Sequence, residues 1–472
     1  MKKEYFVSIT IFWIALVALL IVCSYYMVHN AAWLFGDEAI VYSTTGMGKA
    51  FSPFGFECMI DCFGRFYPFA YNLYNVLLLF DSGQISPEMH YVLHAIALII
   101  FTICFVFTAL QLLKTYSPAI KYSIAFCFAT IALFRVFPEF VTCYTGAWIV
   151  FLLLSVFVLC TCKFEESEHW GWGIPAVLSI TYICYCYENI CVIPITYGTC
   201  TLLFNHKNIS SKKRLFNGLL VASGVLFLVL YAVIVLPRAN NFYSHHSEIT
   251  IVQNALKIFI AQKIYWIALI FLLVRLWDVL KNKKSYIFAD SFLLTAFAYF
   301  CGTAFLHLDF VYYYNFGALI ALTSILCYCK EYFKPYLVLV LMLSLSAFYG
   351  RKMPSNIKVN QESRIYASTQ ITKLTEYVED GYDIYWYAPK YGNVLDMNVE
   401  FRNWRRDGVL RYLEWCTQEC INFIDEETFD STKKGIWLNP YQNTIVLPET
   451  DTIFINYPLI YRAGAVSGYL IE

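Results

Sequence analysis

Charge is what this 472-residue sequence has least of. Only 14% of its residues are Asp, Glu, Lys or Arg, against about a quarter in an ordinary soluble domain, while 59% are hydrophobic. A water-soluble fold of this size is thereby excluded. Lys+Arg and Asp+Glu each number 34, so the basic excess that nucleic acid requires is missing. No C-x-x-C pair occurs among the 17 cysteines, which removes the usual zinc and dithiol-redox patterns. The glycine-bearing stretch TTGMGKAFSPFGFE lacks the G-K-[ST] ending of a phosphate loop. Internal repeats are absent too, and with them the inverted symmetry of many transporters.

What is present is a series of apolar runs of membrane-spanning length: 7–28, 89–113, 122–138, 140–162, 171–187, 189–205, 215–236, 255–277, 287–306, 316–329 and 335–350. The first is too long for a signal-peptide core and no A-x-A site follows it, so it reads as an uncleaved first helix. Residues 171–205 are ambiguous between one long span and a hairpin turning at YEN (187–189), and lysine distribution decides. With a hairpin, the segments carrying Lys2, Lys3, Lys114, Lys121, Lys163, HKNISSKKR, LKNKK, Lys330 and Lys334 fall on one side. That is the positive-inside pattern, with the N-terminus cytoplasmic and the C-terminus outside. The expectation is an α-helical polytopic protein of the plasma (inner) membrane, with about eleven transmembrane helices over 1–350. From Arg351 the composition turns polar, so 351–472 is expected to form a small extracytoplasmic α/β domain. There STQITKLTEYVEDG reads as an amphipathic helix ended by Gly381, and YDIYWYAP and DTIFINYP read as strands.

Cys104, Cys127, Cys160, Cys184, Cys186, Cys191, Cys301 and Cys327 lie inside apolar runs, where cysteine packs as a small hydrophobe. Cys58/Cys62 and Cys416/Cys420 fall in polar segments, either as disulfides or as reduced thiols one helical turn apart.

The external side then holds a first loop at about 29–88, tight turns at RVFPE (135–139), YEN and HLDFVYYYN (307–315), and the loop PRANNFYSHHSE (237–248). Each carries ionisable groups. Asp37 and Glu38, in WLFGDEAIVY, sit just beyond the first helix. Glu139, Glu188, His307 and Asp309 sit at helix ends on the same side. Charges so near hydrocarbon are costly unless they face a wet, protein-lined cavity, so together they point to one cavity at the outer leaflet. Capping or snorkelling is the plainer account of Glu139, Glu188 or Asp309 taken singly. Arg65, Arg135 and Arg238 are the few cations of a lysine-poor face, which makes them candidates for holding an anion. The scattered carboxylates with His245 and His246 do not have metal-site spacing, so no cofactor is expected and a divalent metal has no support. FYPFAYNLYNVLLLF reads as an interfacial segment, and RNWRRDG (402–408) as a solvated turn or a glycan or headgroup contact.

An acidic pair beyond the first helix, as in DEAIVY, followed by GRFYP, resembles the first-loop pattern of polytopic glycosyltransferases of the C-type fold. The nearest likeness is to bacterial glucosyltransferases that use polyprenyl-phosphate sugars to modify O-antigen or other surface glycans. The YEN turn, the aromatic late external turn and the outside C-terminal domain are also similar. Where many relatives carry Asp-Asp, this chain has Asp37-Glu38, and the W-W-D-Y-G type motif of oligosaccharyltransferases is absent. The resemblance implies transfer of a sugar from a polyprenyl-phosphate donor to a cell-surface glycan or lipid acceptor. It makes Asp37 the base, with Glu38 or Glu139 assisting. The arginines would hold the departing phosphate, and Glu188, His245, His307 and Asp309 would line the substrate site. Membrane lipids are the other expected partners. A glycan polymerase or ligase shares this topology, and a transporter or non-catalytic envelope protein would be indifferent to Asp37.

Overall fold

The structure is a computed structural model. It describes residues 2–32, 41, 50, 52, 60, 64–80, 86–142, 146–205, 209–239, 250–306, 308, 311–387, 413, 423–426, 429–439, 453–463 and 466–472. Among the described residues thirteen α-helices precede the strands: α1 Lys2–Val28, α2 Pro87–Leu112, α3 Pro118–Thr142, α4 Ala147–Ser167, α5 Trp170–Cys184, α6 Val192–Phe204, α7 Ser211–Ile234, α8 Ile251–Ala261, α9 Ile264–Leu280, α10 Phe288–Phe305, α11 Val311–Tyr332, α12 Pro335–Gly350 and α13 Met353–Glu379. Short 3-10 helices at Asn72–Leu79 and Glu188–Cys191 interrupt the series. Eight of the described helices are long and apolar enough to cross a membrane, or nine with the bent pair α8–α9, and α5 and α6 are shorter apolar helices. Each expected span therefore meets a helix or a helix pair. The protein is an integral membrane protein whose centre is α11, with 94% of its spanning window buried, while α1 and α7 lie at the periphery with 22% and 28%.

Three expectations need correction. RVFPE is not a turn: α3 runs through it to Thr142. Pro138 removes only one backbone bond, and burial of Val136, Phe137, Phe140 and Val141 holds the helix together past it. The chain turns instead at Gly146, at φ +66, where a Cβ would lie 2.1 Å from the Ala70 carbonyl oxygen; only glycine fits so close an approach in that conformation. The run 255–277 is not one continuous helix, because α8 and α9 meet at 103°. Gln262 leaves the helical conformation there (φ −114, ψ 84). Its buried side chain donates to Asn315 Oδ1 at 2.9 Å, and that bond anchors the elbow. DTIFINYP forms no strand over its described part, Ile453–Pro458, which turns instead. Asn-Tyr-Pro favours a turn, and Phe454 is inserted among aromatic rings.

The strands β1 Ile384–Tyr387, β2 Phe423–Glu426, β3 Gly435–Asn439, β4 Leu459–Ala463 and β5 Val466–Ile471 form one sheet in the order β2-β1-β3-β5-β4. β1 is parallel to β2 and β3, whereas β5 is antiparallel to β3 and β4. Alternation along β1 sends Ile384 and Trp386 into the main core with Leu374 of α13, and Tyr385 and Tyr387 into a separate aromatic cluster. α13 begins far earlier than the amphipathic stretch suggested, two residues after α12, and ends before Gly381 at φ +84. It thus runs from the membrane helices to the sheet as one rod, about 40 Å at 1.5 Å per residue.

Candidate functional site: a cationic cavity beside the first loop

The site grows from the last turns of α3. Arg135 and Glu139 are four residues apart, hence on one face of the helix. Arg135 Nη2 donates to Asn315 Oδ1 at 2.6 Å, and Asn315 Nδ2 donates back to the Arg135 backbone oxygen at 3.2 Å. With Gln262 on the same Asn315 oxygen, one buried amide fixes both the arginine and the α8–α9 elbow. The guanidinium stacks 5.0 Å above the Tyr349 ring. Its Nε is buried with no hydrogen-bond partner among the described residues.

Arg135 and Glu139 line a cavity of about 540 Å³ together with Lys263 of the elbow, Tyr312 at the start of α11, Arg351 and Lys352 of the α12–α13 joint, and Asn356 of α13. Among the described residues the lining holds four cations, Arg135, Lys263, Arg351 and Lys352, and one acid, Glu139. Three of the four come from segments remote in sequence from α3. Glu139 is 5% exposed, at the back of this arrangement.

Arg65 and Glu188 form a second, closed arrangement. Arg65 Nε and Nη2 donate to the two Glu188 carboxylate oxygens at 2.8 and 3.1 Å, and the Phe66 backbone N–H donates to Glu188 Oε1 at 2.7 Å. Arg65 Nη2 also lies 3.4 Å from the Tyr313 hydroxyl, and Tyr231 donates to the Gly64 carbonyl at 2.7 Å. Burial opposes the charge on Arg65, but Glu188, Tyr313 and Tyr67 outweigh it and hold the guanidinium well above its usual pKa. These contacts pin the returning end of the first loop to the 3-10 turn that replaces the YEN bend. The two arrangements adjoin through consecutive residues of α11, since Tyr312 lines the cavity and Tyr313 meets Arg65.

The other sequence candidates fall elsewhere. Arg238 is exposed just beyond α7 and does not line the cavity. Asp37, Glu38, His245, His307 and Asp309 lie outside the described residues, as do His246, Cys58, Cys62, Cys416, Cys420 and 402–408. Among the described residues no three His, Cys, Asp or Glu side chains are grouped so as to hold a metal. Sequence reasoning overlooked Lys263, Arg351, Lys352 and Asn315. A signal did exist for Lys263: the polar pair Gln262-Lys263 interrupts an otherwise apolar run.

No protein-family model matches the chain, and no curated protein does. Solved structures do. ArnT from Cupriavidus metallidurans in the apo state aligns with a TM-score of 0.54 at 11% identity, over 98% of each chain. The same protein bound to undecaprenyl phosphate aligns at 0.51 and 10% identity, over 97% of this chain and 98% of that one. The Archaeoglobus fulgidus oligosaccharyltransferase in its apo form aligns at 0.47 and 11% identity, over 84% of this chain and 64% of that one. In the two ArnT alignments near-complete coverage in both directions extends the likeness from the first helix to the terminal sheet. The chain has the C-type fold of polytopic membrane glycosyltransferases.

Proposed function

We propose that this protein transfers a sugar from a polyprenyl-phosphate donor to a hydroxyl of a cell-surface glycan or lipid at the outer face of the membrane. The observation that carries this reading is the cavity in which Arg135, with an uncommitted Nε, stands beside Lys263, Arg351 and Lys352. A lipid phosphate is an anion at headgroup depth, and charge-assisted hydrogen bonds from arginine suit it. ArnT, of the same fold, binds undecaprenyl phosphate, which supports a donor of that chemistry here.

In the reaction the acceptor oxygen attacks the anomeric carbon, and the bond from that carbon to the phosphate oxygen breaks. Polyprenyl phosphate departs with the electron pair, and the acceptor proton passes to a carboxylate. Asp37 is assigned that proton, because Gly36 before it permits a close substrate approach. Glu38 next to it points about 100° away if the segment is helical, and with Glu139 it assists. Arg135 and the other three cavity cations hold the phosphate. Arg65, engaged by Glu188, keeps the first loop in place, while Arg238, His245, His307 and Asp309 are assigned to the acceptor side. Lysine asymmetry supports a cytoplasmic N-terminus and an external sheet; reporters fused at Lys212 and Gly435 then report opposite sides, and a shared side overturns this orientation.

The test of the chemistry is transfer from radiolabelled polyprenyl-phosphate glucose into an envelope fraction by membranes containing the full chain. Asp37→Asn keeps size and hydrogen bonding but removes the base, so transfer falls about 10²-fold or more at unchanged membrane insertion. Loss in Glu38→Gln alone moves the role one residue along. Full activity in both variants refutes catalysis by the acidic pair.

A further inference from the structure

Helix ends expose carbonyls that have no partner inside the helix, so each such group must be accounted for. At the end of α1 the accounting is complete. The Tyr25 oxygen accepts from His29 N–H at 2.7 Å and the Val28 oxygen from Ala31 N–H at 3.1 Å, both within the chain's own turn. The two between them are served from α13: Tyr26 O accepts from Gln361 Nε2 at 2.8 Å, and Met27 O from Arg364 Nη1 at 2.6 Å. At the end of α3 the Phe140 oxygen accepts from His94 Nδ1 at 2.8 Å. The Val141 oxygen accepts from Asn360 Nδ2 and from Arg364 Nη2, both at 3.3 Å. One guanidinium therefore caps two membrane helices at once.

Arg364 is 0% exposed, and its guanidinium lies 3.9 Å from the centre of the Tyr91 ring of α2. Among the described residues it forms no ion pair with a carboxylate. A buried cation without an acid is expensive unless something else supplies negative potential. Here the C-terminal dipoles of α1 and α3 do so, together with the Tyr91 face. The geometry of the two helix ends is thus the counter-charge of Arg364, and moving either end exposes that charge.

Both ends lead to the site. Asp37 follows Val28 by nine residues, and Arg135 precedes Val141 by six, about 9 Å along the helix. Asn356, which lines the cavity, stands with Asn360 and Arg364 at intervals of four on one stripe of α13. The far part of the same helix packs on the sheet through Leu374.

We infer that Arg364 is a positioning residue: by bridging the two helix ends it fixes the exit of α1, from which the first loop departs, relative to the last turns of α3, which carry Arg135 and Glu139. This rests on the proposed sugar-transfer reading for its consequence, though not for its geometry. α13 is accordingly the connection through which the sheet holds the site in register.

Hydrogen–deuterium exchange on the full chain in nanodiscs tests the geometry. In Arg364→Met, exchange in peptides covering the end of α1 and the end of α3 rises about tenfold or more, while α10 and α11 stay as in the wild type. Arg364→Lys, which keeps the charge but replaces the planar two-nitrogen fork by a single ammonium nitrogen, shows the same local rise at a smaller amplitude. Asn360→Ala, which removes one neutral donor from Val141, raises exchange at the end of α3 alone. No local change in any variant, or an equal rise throughout α10 and α11, overturns the inference by making Arg364 either idle or a general packing residue.

The same nanodiscs titrated with polyprenyl phosphate separate the two readings. Arg364→Lys binds within about twofold of wild type because the cavity cations remain, and a tenfold loss places Arg364 in binding and overturns its positioning role. Retention of binding in Arg135→Gln refutes the proposed donor site while leaving the exchange result standing. In the transfer assay Arg364→Lys lowers kcat with the donor KM unchanged, and a change in KM alone overturns the inference.

Discussion

Two arginines of the membrane body, Arg135 and Arg275, show how differently a helix bundle can treat the same side chain. Arg275, near the end of α9, donates through Nε and Nη2 to both oxygens of Asp290 at 2.7 and 2.8 Å. It also meets the Ser285 carbonyl, and Tyr328 donates to Asp290 at 2.6 Å. This pair is closed: charge is matched and the donors are engaged. Among the described residues Arg135 is held by a neutral amide, leaves Nε without a partner and looks into a cavity with three further cations. Lys263, at the start of α9, belongs to the Arg135 cavity, so twelve residues of one helix, about 18 Å, separate the two regimes. A satisfied buried ion pair serves architecture, whereas an excess of cation in a cavity is a standing demand for an anion.

The largest expected effect comes from breaking the closed pair. Arg275→Met leaves Asp290 buried with its charge unmatched, a loss of about 3–5 kcal/mol for a buried pair. The variant should give little folded protein by size-exclusion chromatography, whatever lipid is supplied. Arg135→Gln should do the reverse. The Asn315 contact is with a neutral partner and Arg135 forms no ion pair among the described residues, although buried Glu139 loses a neighbouring cation, so folded yield falls far less than in Arg275→Met. Affinity for polyprenyl phosphate in nanodiscs falls roughly 10- to 100-fold, the worth of a hydrogen bond to a charged group. Equal damage to yield from both substitutions would erase the distinction between them.

The helices and the site were not equally legible. Long apolar runs announce spans directly, and lysine asymmetry resolved the break near Glu188, where the chain forms a 3-10 turn between α5 and α6. Arg135 and Glu139 stood out as charges at the edge of an apolar run. Arg364 did not, because in a helix as polar as α13 an arginine that faces carbonyls looks like one that faces water. Its neighbours Lys358 and Glu362 form only an exposed pair at 3.7 Å. The elbow at Gln262 was averaged away, since a hydropathy window sums over a break that one polar pair creates. Convergence of Lys263, Arg351 and Lys352 on Arg135 is a tertiary fact, and single-chain periodicity carries no trace of it. The segments YDIYWYAP and DTIFINYP show the same limit: both are short and aromatic, but only the first yields a strand, β1, which is paired on both sides.

The smallest effect sharpens the contrast within the cavity itself. Arg351 and Lys352 are exposed at its rim, as is Lys263, whereas Arg135 is half-buried behind them. An exposed charge acts on an anion through water and is screened over about 8 Å at physiological salt. Lys263→Gln and Lys352→Gln should therefore each weaken polyprenyl phosphate binding only a few-fold at low salt. That difference should shrink toward nothing as sodium chloride is raised to 0.5 M, where the screening length is roughly 4 Å. The Arg135→Gln deficit, made at a partly desolvated contact, should persist across the same series. Titrations at three salt concentrations distinguish the two behaviours. If the Arg135 deficit fades with salt as the lysine deficits do, the guanidinium acts at a distance, and the anion rests on the rim instead of against Arg135.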